Sequence, residues 1–251
     1  MEVIKTLPAV FEEFSEQRRN SFLHAYEIKE KNIPFVGTFC TYTPNEVIMA
    51  AGAIPVGLCS FSDETIAEAE QDLPRNLCPL VKSSYGFAKT QKCPYFYFSD
   101  LIIGETTCDG KKKMYEMLGE IKDTHIMELP NRQSPMGRKL WREEVVALKN
   151  KLEEKFGVTI TEEQVRQAVR VKNEERRALK EFYKVMQLNP APMLGADLYK
   201  VLYGSTFKFN KEEIPGEVRA LTQRVLESYD DGTPDCPKNK FAGRPRILIT
   251  G

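Results

Sequence analysis

Histidine is nearly missing from this chain: His24 and His125 are the only two among 251 residues. Zinc or iron held by imidazole is therefore poorly supplied. His24 falls on an amphipathic helical stretch and His125 in a short β-like run, so both read as structural residues. An excess of one charge is missing too. With 36 basic against 36 acidic residues and no long single-sign block, a general polyanion binder is excluded, and no nucleic-acid partner is expected. No apolar run approaches the length of a membrane span. The opening Met-Glu-Val-Ile-Lys-Thr-Leu-Pro lacks the basic start and apolar stretch of a secretory signal. These absences point to a cytoplasmic protein without a membrane partner. A dense Cys-x-x-Cys ladder is absent as well, which argues against ferredoxin and zinc-ribbon folds.

Cysteine is what the chain does have. Reducing compartments disfavour structural disulfides, so six cysteines need a reason. Taken singly, each reads equally well as a small buried apolar residue. Five of the six, Cys40, Cys59, Cys78, Cys93 and Cys108, fall within residues 36–118, each at a turn or element end. Thiols at such corners can converge on one point, whereas thiols in core stripes pack. If a metal is present, thiolates should dominate its ligands, which favours iron–sulfur or zinc. Cys78 and Cys93 each precede a proline, which turns the chain away and leaves sulfur exposed to a cluster. Cys-Pro is also an ordinary turn. Cys108 sits just before a predicted helix and ahead of Lys111, Lys112 and Lys113, a setting that favours its thiolate. That suits a metal ligand or a reactive nucleophile, and for the latter no general base is evident. Gly104 to Lys111 resembles a phosphate loop but has five residues between its glycines, and Lys112 stands where the magnesium-binding hydroxyl belongs.

Apolar patterning predicts a helix within 9–31, a strand over 33–39 ending at Cys40, a helix over 45–51 opened by Pro44, and a strand over 54–58 ending at Cys59. A helix over 80–88, a strand within 95–103 rich in aromatic and β-branched residues, a helix over 111–120 and a strand over 125–129 follow. Strand, helix and strand in close succession indicate a parallel α/β sheet, whose carboxyl edge is the place for a ligand. Beyond Pro135 the chain turns long, charged and helical, over 138–156 and 161–187. Thr161-Glu-Glu-Gln164 fits a capping box, with Val165, Ala168, Val169, Lys172, Arg176, Leu179 and Phe182 on the inner stripe. A break at Asn189-Pro-Ala-Pro192 precedes a further helix near 211–229. Residues 230–245 read as a linker, and Arg246-Ile-Leu-Ile-Thr-Gly251 as the first strand of another α/β domain.

The longer motifs carry a resemblance. Val36-Gly-Thr-Phe-Cys40-Thr-Tyr-Thr-Pro-Asn-Glu46, Ala50-Ala51-Gly52-Ala53, Leu77-Cys78-Pro-Leu-Val-Lys-Ser-Ser-Tyr-Gly86 and Glu105-Thr-Thr-Cys108-Asp-Gly-Lys-Lys-Lys-Met-Tyr115 resemble the 2-hydroxyacyl-CoA dehydratase / benzoyl-CoA reductase family. Asp72-Leu-Pro-Arg-Asn-Leu-Cys-Pro79 and Lys92-Cys-Pro-Tyr-Phe-Tyr-Phe-Ser-Asp100 are most similar to its double-cubane cluster proteins. The resemblance implies flavodoxin-like α/β domains with a helical extension and iron–sulfur clusters, 4Fe-4S or double-cubane, in the cleft between domains. It implies a separate ATP-dependent iron–sulfur activator protein that delivers low-potential electrons, a small-molecule or acyl-CoA substrate, and a homodimer. In the dehydratases those electrons let hydroxyl elimination proceed through a ketyl radical.

By motif match, Cys78 and Cys108 are the strongest ligands, with Cys40 next; Cys59 and Cys93 are candidate extra ligands, and Cys236 a bystander. Glu46 either lines the pocket or caps its helix. The expected organisation is an α/β cluster-binding domain over 1–135, a helical extension over 136–229, and a linker with the first strand of a truncated second α/β domain over 230–251. Two rival readings are an acyl-CoA dehydratase subunit proper and an inactive scaffold that folds without metal and binds a partner.

Overall fold

The computed structural model describes residues 7–248, which divide into two compact units between Ala168 and Val169. In the first unit, α1 (Glu16–Glu30), β1 (Phe35–Thr38), α2 (Asn45–Ala50) and β2 (Ile54–Gly57) come first. Then follow α3 (Ile66–Ala69), α4 (Pro79–Lys89), α5 (Pro94–Phe98) and β3 (Leu101–Glu105). α6 (Asp109–Ile121), β4 (Thr124–Met127) and α7 (Pro135–Phe156) complete it.

All four strands run parallel, in the order β2-β1-β3-β4. The chain steps outward from β1 to β2, then crosses back to β3 on the other side. That reversal is the switch point of a flavodoxin-like sheet, where the loops after β1 and β3 diverge and leave a crevice. The predicted α/β fold class is therefore the observed one.

Burial on both faces explains the near-continuous apolar strands. Successive residues of β3 point to opposite sides. Leu101 and Ile103 pack with Ile48 of α2 and with Leu148 and Leu152 of α7. Ile102 packs with Val81 of α4 and with Met114 and Leu118 of α6. α7 thus covers one face of the sheet, and its left-handed Gly157 ends it (φ 65°).

The strand expected within 95–103 is corrected. Residues 94–98 form α5, and β3 begins only at Leu101. Pro94 presets the first helical turn, and the Cys93 sulfur accepts the Phe96 amide at 3.4 Å. Phe98 then packs edge-on against Phe22 of α1. Local capping and aromatic packing outweigh β propensity here.

α8 (Glu162–Lys184) runs through the division into the second unit, where α9 (Gly195–Gly204), α10 (Ile214–Tyr229) and α11 (Pro237–Lys240) follow. The capping box forms as expected: the Thr161 amide donates to Gln164 Oε1 at 2.8 Å and the Gln164 amide to Thr161 Oγ1 at 3.3 Å. The buried stripe of α8 differs from the expected one. Ala168, Lys172, Glu175, Ala178 and Phe182 are buried, while Val169 and Arg176 are exposed. Lys172 is tolerated inside because its ammonium pairs with Glu175 at 2.7 Å. Ala178 and Phe182 meet Leu198, Ile214 and Val218 in that unit's core. α9 was not anticipated, because the prolines before it read as an extended break. Arg246–Leu248 have no regular structure, and the rest of the expected terminal strand lies outside the described residues.

Candidate functional site at the carboxyl edge of the sheet

The loop after β1 is bent at Cys40, a left-handed residue with φ 64°. For a residue with a Cβ that conformation costs about 1 kcal/mol or more, so the surroundings must hold it. Glu105, the last residue of β3, supplies one such hold. It is fully buried, and its Oε1 accepts both the Thr43 amide and the Thr43 hydroxyl, the latter at 3.0 Å. Its other oxygen, Oε2, has no hydrogen-bond partner among the described residues. Burial pushes the Glu105 carboxyl above its usual range, and the Thr43 bonds and Lys111 only partly oppose this.

Cys40 Sγ lies 3.1 Å from Thr107 Oγ1 and 2.7 Å from the ammonium of Lys111. The same ammonium reaches Cys59 Sγ at 3.5 Å. Lys111 belongs to the first turn of α6 and is 5 % exposed, so it can be directed only at these sulfurs and the Phe39 ring. Burial acts to lower its pKa, yet the Cys59 and Cys40 sulfurs outweigh that, and the ammonium is held above its usual range. Beside it, Tyr115 packs against Phe39 with its hydroxyl buried and unpartnered. A Cβ on Gly104 would lie 2.6 Å from the Tyr115 ring. That glycine therefore serves ring packing rather than a phosphate.

Cys108 caps α6 and is exposed, and Cys78 caps α4 and is exposed as well. The two helix starts adjoin, since a Cβ on Gly110 would come within 2.9 Å of Leu77. Cys40 and Cys59 thus share Lys111 inside, while Cys78 and Cys108 stand in water at neighbouring helix N-termini. Cys93 lies elsewhere: α4 carries the chain back across the sheet, and burial pushes the Cys93 thiol up. Cys236 is buried in the second unit, at the cap of α11. Glu46 occupies the first turn of α2, whose cap position is Pro44. His24 is exposed on α1, and His125 sits in β4 with its pKa lowered by burial.

Among the described residues, no group of three Cys, His, Asp or Glu side chains is arranged to hold a metal ion, and no helix is long and apolar enough to cross a membrane. The donor chemistry at this edge nevertheless suits a soft, sulfur-bound group. The sulfurs are free thiols, and those of Cys78 and Cys108 stand at the N-terminal cap positions of α4 and α6.

The family model for the 2-hydroxyglutaryl-CoA dehydratase D-component matches residues 40–251. The chain belongs to that family. The chain is 54 % identical over its whole length to the Escherichia coli (strain K12) protein described as "Putative dehydratase subunit YjiM", covering 64 % of that protein. With the (R)-phenyllactyl-CoA dehydratase beta subunit of Clostridium sporogenes it shares 24 % identity over 86 % of the chain and 55 % of the relative. With a benzoyl-CoA reductase protein of Thauera aromatica the figures are 23 %, 64 % and 42 %. The chain therefore spans roughly two-fifths to two-thirds of the length of these relatives.

Sequence reasoning placed the cysteines at strand and helix ends, and it noticed the lysines after Cys108. It missed Glu105 and Tyr115. An acidic residue closing an apolar strand, just before Thr106-Thr107, was the available signal for Glu105.

Proposed function

We propose that the chain is the iron–sulfur component of an ATP-dependent, two-component, low-potential reductase or dehydratase of the double-cubane type, working in the cytoplasm. One observation carries this reading. Four cysteines surround the first turn of α6: Cys108 caps it, Lys111 joins Cys40 to Cys59, and Gly110 packs on the residue before Cys78. Cys40, Cys78 and Cys108 would hold the cluster. When bound, it would supply low-potential electrons received from a separate activator protein. The chain's own residues then have separate tasks. The starts of α4 and α6 would present Cys78 and Cys108 to the cluster, Lys111 would offset negative charge beside Cys40, and the Glu105–Thr43 clasp fixes the bend that presents Cys40.

Reconstitution without oxygen, followed by iron and sulfide analysis, tests the reading. The chain should bind both, and Cys78→Ser or Cys108→Ser should remove most of the bound iron, whereas Cys236→Ser should not. Absence of bound iron, or equal loading in all three variants, would leave a scaffold that binds a partner. A second reading, an acyl-CoA dehydratase subunit with a partner subunit, is favoured by relatives whose names are of acyl-CoA dehydratase beta subunits. Loss of water from a 2-hydroxyacyl-CoA, dependent on activator and ATP, would identify it.

A further inference from the structure

A lysine shut away from water ordinarily finds a carboxylate or carbonyl oxygens, as Lys29 does with Asp100 and Lys122 with the carbonyls of Tyr97 and Ser99. Lys111 finds neither among the described residues. Its hydrogen-bond partners are two sulfurs, Cys40 Sγ at 2.7 Å and Cys59 Sγ at 3.5 Å. Topology brings the thiols to either side of it. β1 and β2 pair in parallel with Thr38 opposite Gly57, so Cys40 and Cys59 leave the sheet in register, each two residues further on. α6 then delivers Lys111 to both from its first turn.

The shorter contact is close for these atoms. Hydrogen bonds from nitrogen to oxygen centre on about 2.9 Å, and sulfur is the larger acceptor. At 2.7 Å the nitrogen and sulfur stand about as far apart as two atoms joined through one bridging oxygen. Neither partner is free to swing away. Lys111 is almost wholly buried over the Phe39 ring, and Cys40 sits in the turn that Glu105 clasps through Thr43. Cys40 is nevertheless partly exposed, so a small oxidant reaches its sulfur from solvent. Two residues on, Tyr42 lines an open concavity of about 620 Å³ with Trp141 and with Arg132, Arg138 and Arg142, which have no ion pair among the described residues.

We propose that Cys40 and Lys111 become joined by a covalent sulfur–oxygen–nitrogen bridge when the metal-free chain meets dioxygen. Oxidised cysteine is already known to condense with nitrogen as well as with thiols. In the overall step the O–O bond breaks, and so do the thiol S–H bond and N–H bonds of the ammonium. One oxygen atom forms bonds to sulfur and to nitrogen, the other leaves as water, and a proton is released. Sulfur and nitrogen are oxidised, and both oxygen atoms are reduced. The bridge pins the turn after β1 to α6 and withdraws Cys40 from metal binding until a thiol reductant restores it. The proposal does not rest on the cluster reading, although a cluster held by Cys40 and the bridge exclude each other.

The full chain, purified without oxygen in the presence of a chelator, is exposed to air-saturated buffer and followed by high-resolution intact mass. The product should gain one oxygen and lose two hydrogens, and dithiothreitol should return it to the starting mass. Protease digestion should yield a cross-linked pair with Cys40 joined to Lys111. Cys59→Ser should still form the product, whereas Cys40→Ser and Lys111→Arg should form at least tenfold less. Far-ultraviolet spectra check that the variants fold, and the cross-linked pair from the wild-type chain decides the question without them. A product that has only lost two hydrogens, the mark of a Cys40–Cys59 disulfide, overturns the proposal. So does oxygen gained on Cys40 with Lys111 free, an unchanged mass, or the bridge mass persisting in Lys111→Arg. Iron and sulfide are measured on a separate anaerobic sample, so failure of the cluster reading and failure of the bridge are told apart.

Discussion

The two edges of the sheet treat their buried polar groups in opposite ways. At the amino edge the strong groups of Asp100, Lys29 and Lys122 are answered. Asp100 accepts the Lys29 ammonium with both oxygens, at 2.8 and 2.6 Å, and also the Phe35 amide at 2.8 Å. Lys122 donates to the carbonyls of Tyr97 and Ser99 at 2.6 and 2.8 Å. At the carboxyl edge, Glu105 Oε2, the Tyr115 hydroxyl and Asn45 Oδ1 are buried without partners, and three arginines nearby are unpaired. Satisfied polar groups fasten a fold, while unsatisfied ones cost stability and are kept where something else must be met. The amino edge holds the sheet together, and the carboxyl edge is where the molecule is equipped to act.

The sharpest way to break this contrast is at the amino edge. Lys29→Met leaves Asp100 buried beside a single remaining amide, and should lower unfolding free energy by about 3–5 kcal/mol in chemical denaturation. A loss below about 1 kcal/mol would show the pair to be dispensable. A change at the carboxyl edge should be smaller and of opposite sign. Glu105→Gln keeps an oxygen for Thr43 but removes a carboxyl whose folded pKa is raised. Such a group binds protons more tightly folded than unfolded, so wild-type stability falls as pH rises from the ordinary glutamate range to the raised value. The variant lacks that fall. It should equal or exceed wild type at neutral pH, by about 1 kcal/mol, with the gap closing towards pH 4. A variant clearly less stable at neutral pH would mean that Glu105 is as well satisfied as Asp100. The third effect concerns Lys122 and shows only above neutral pH. Burial, aided by Lys29 and opposed by Asp100, brings its pKa from 10.5 down to about 8. Between those values the unfolded chain holds a proton that the folded one has released, so stability rises with pH across that window. The difference between wild type and Lys122→Met, followed by denaturation from pH 7 to 10.5, should isolate that slope.

How far the sequence could be read depended on the kind of signal. Apolar runs with glycine or proline stops located the four strands of the sheet, the third with its start corrected, while the helices expected over 80–88 and 111–120 begin earlier, at Pro79 and Asp109, which puts Cys78 and Cys108 at caps. Tyr95-Phe-Tyr-Phe98 misled, because aromatic content resembles a strand while the Cys93-Pro94 cap favours a helix. Lys172 and Glu175 on α8 were legible only as charges, since burial of an ion pair leaves no mark in a single sequence. The pocket beside Tyr42 was invisible for a similar reason. Arg138 and Arg142 are four apart on a charged helix, the pattern of an ordinary wetted surface, and only the fold sets them beside Tyr42 and Arg132.

The clasp between Thr43 and Glu105 has a mechanical consequence. It ties the turn carrying both Cys40 and Tyr42 to the end of the fully buried strand β3, so the sulfur and the ring hang from one anchored turn. Anything that displaces the ring works against the same anchor that presents the thiol two residues before it.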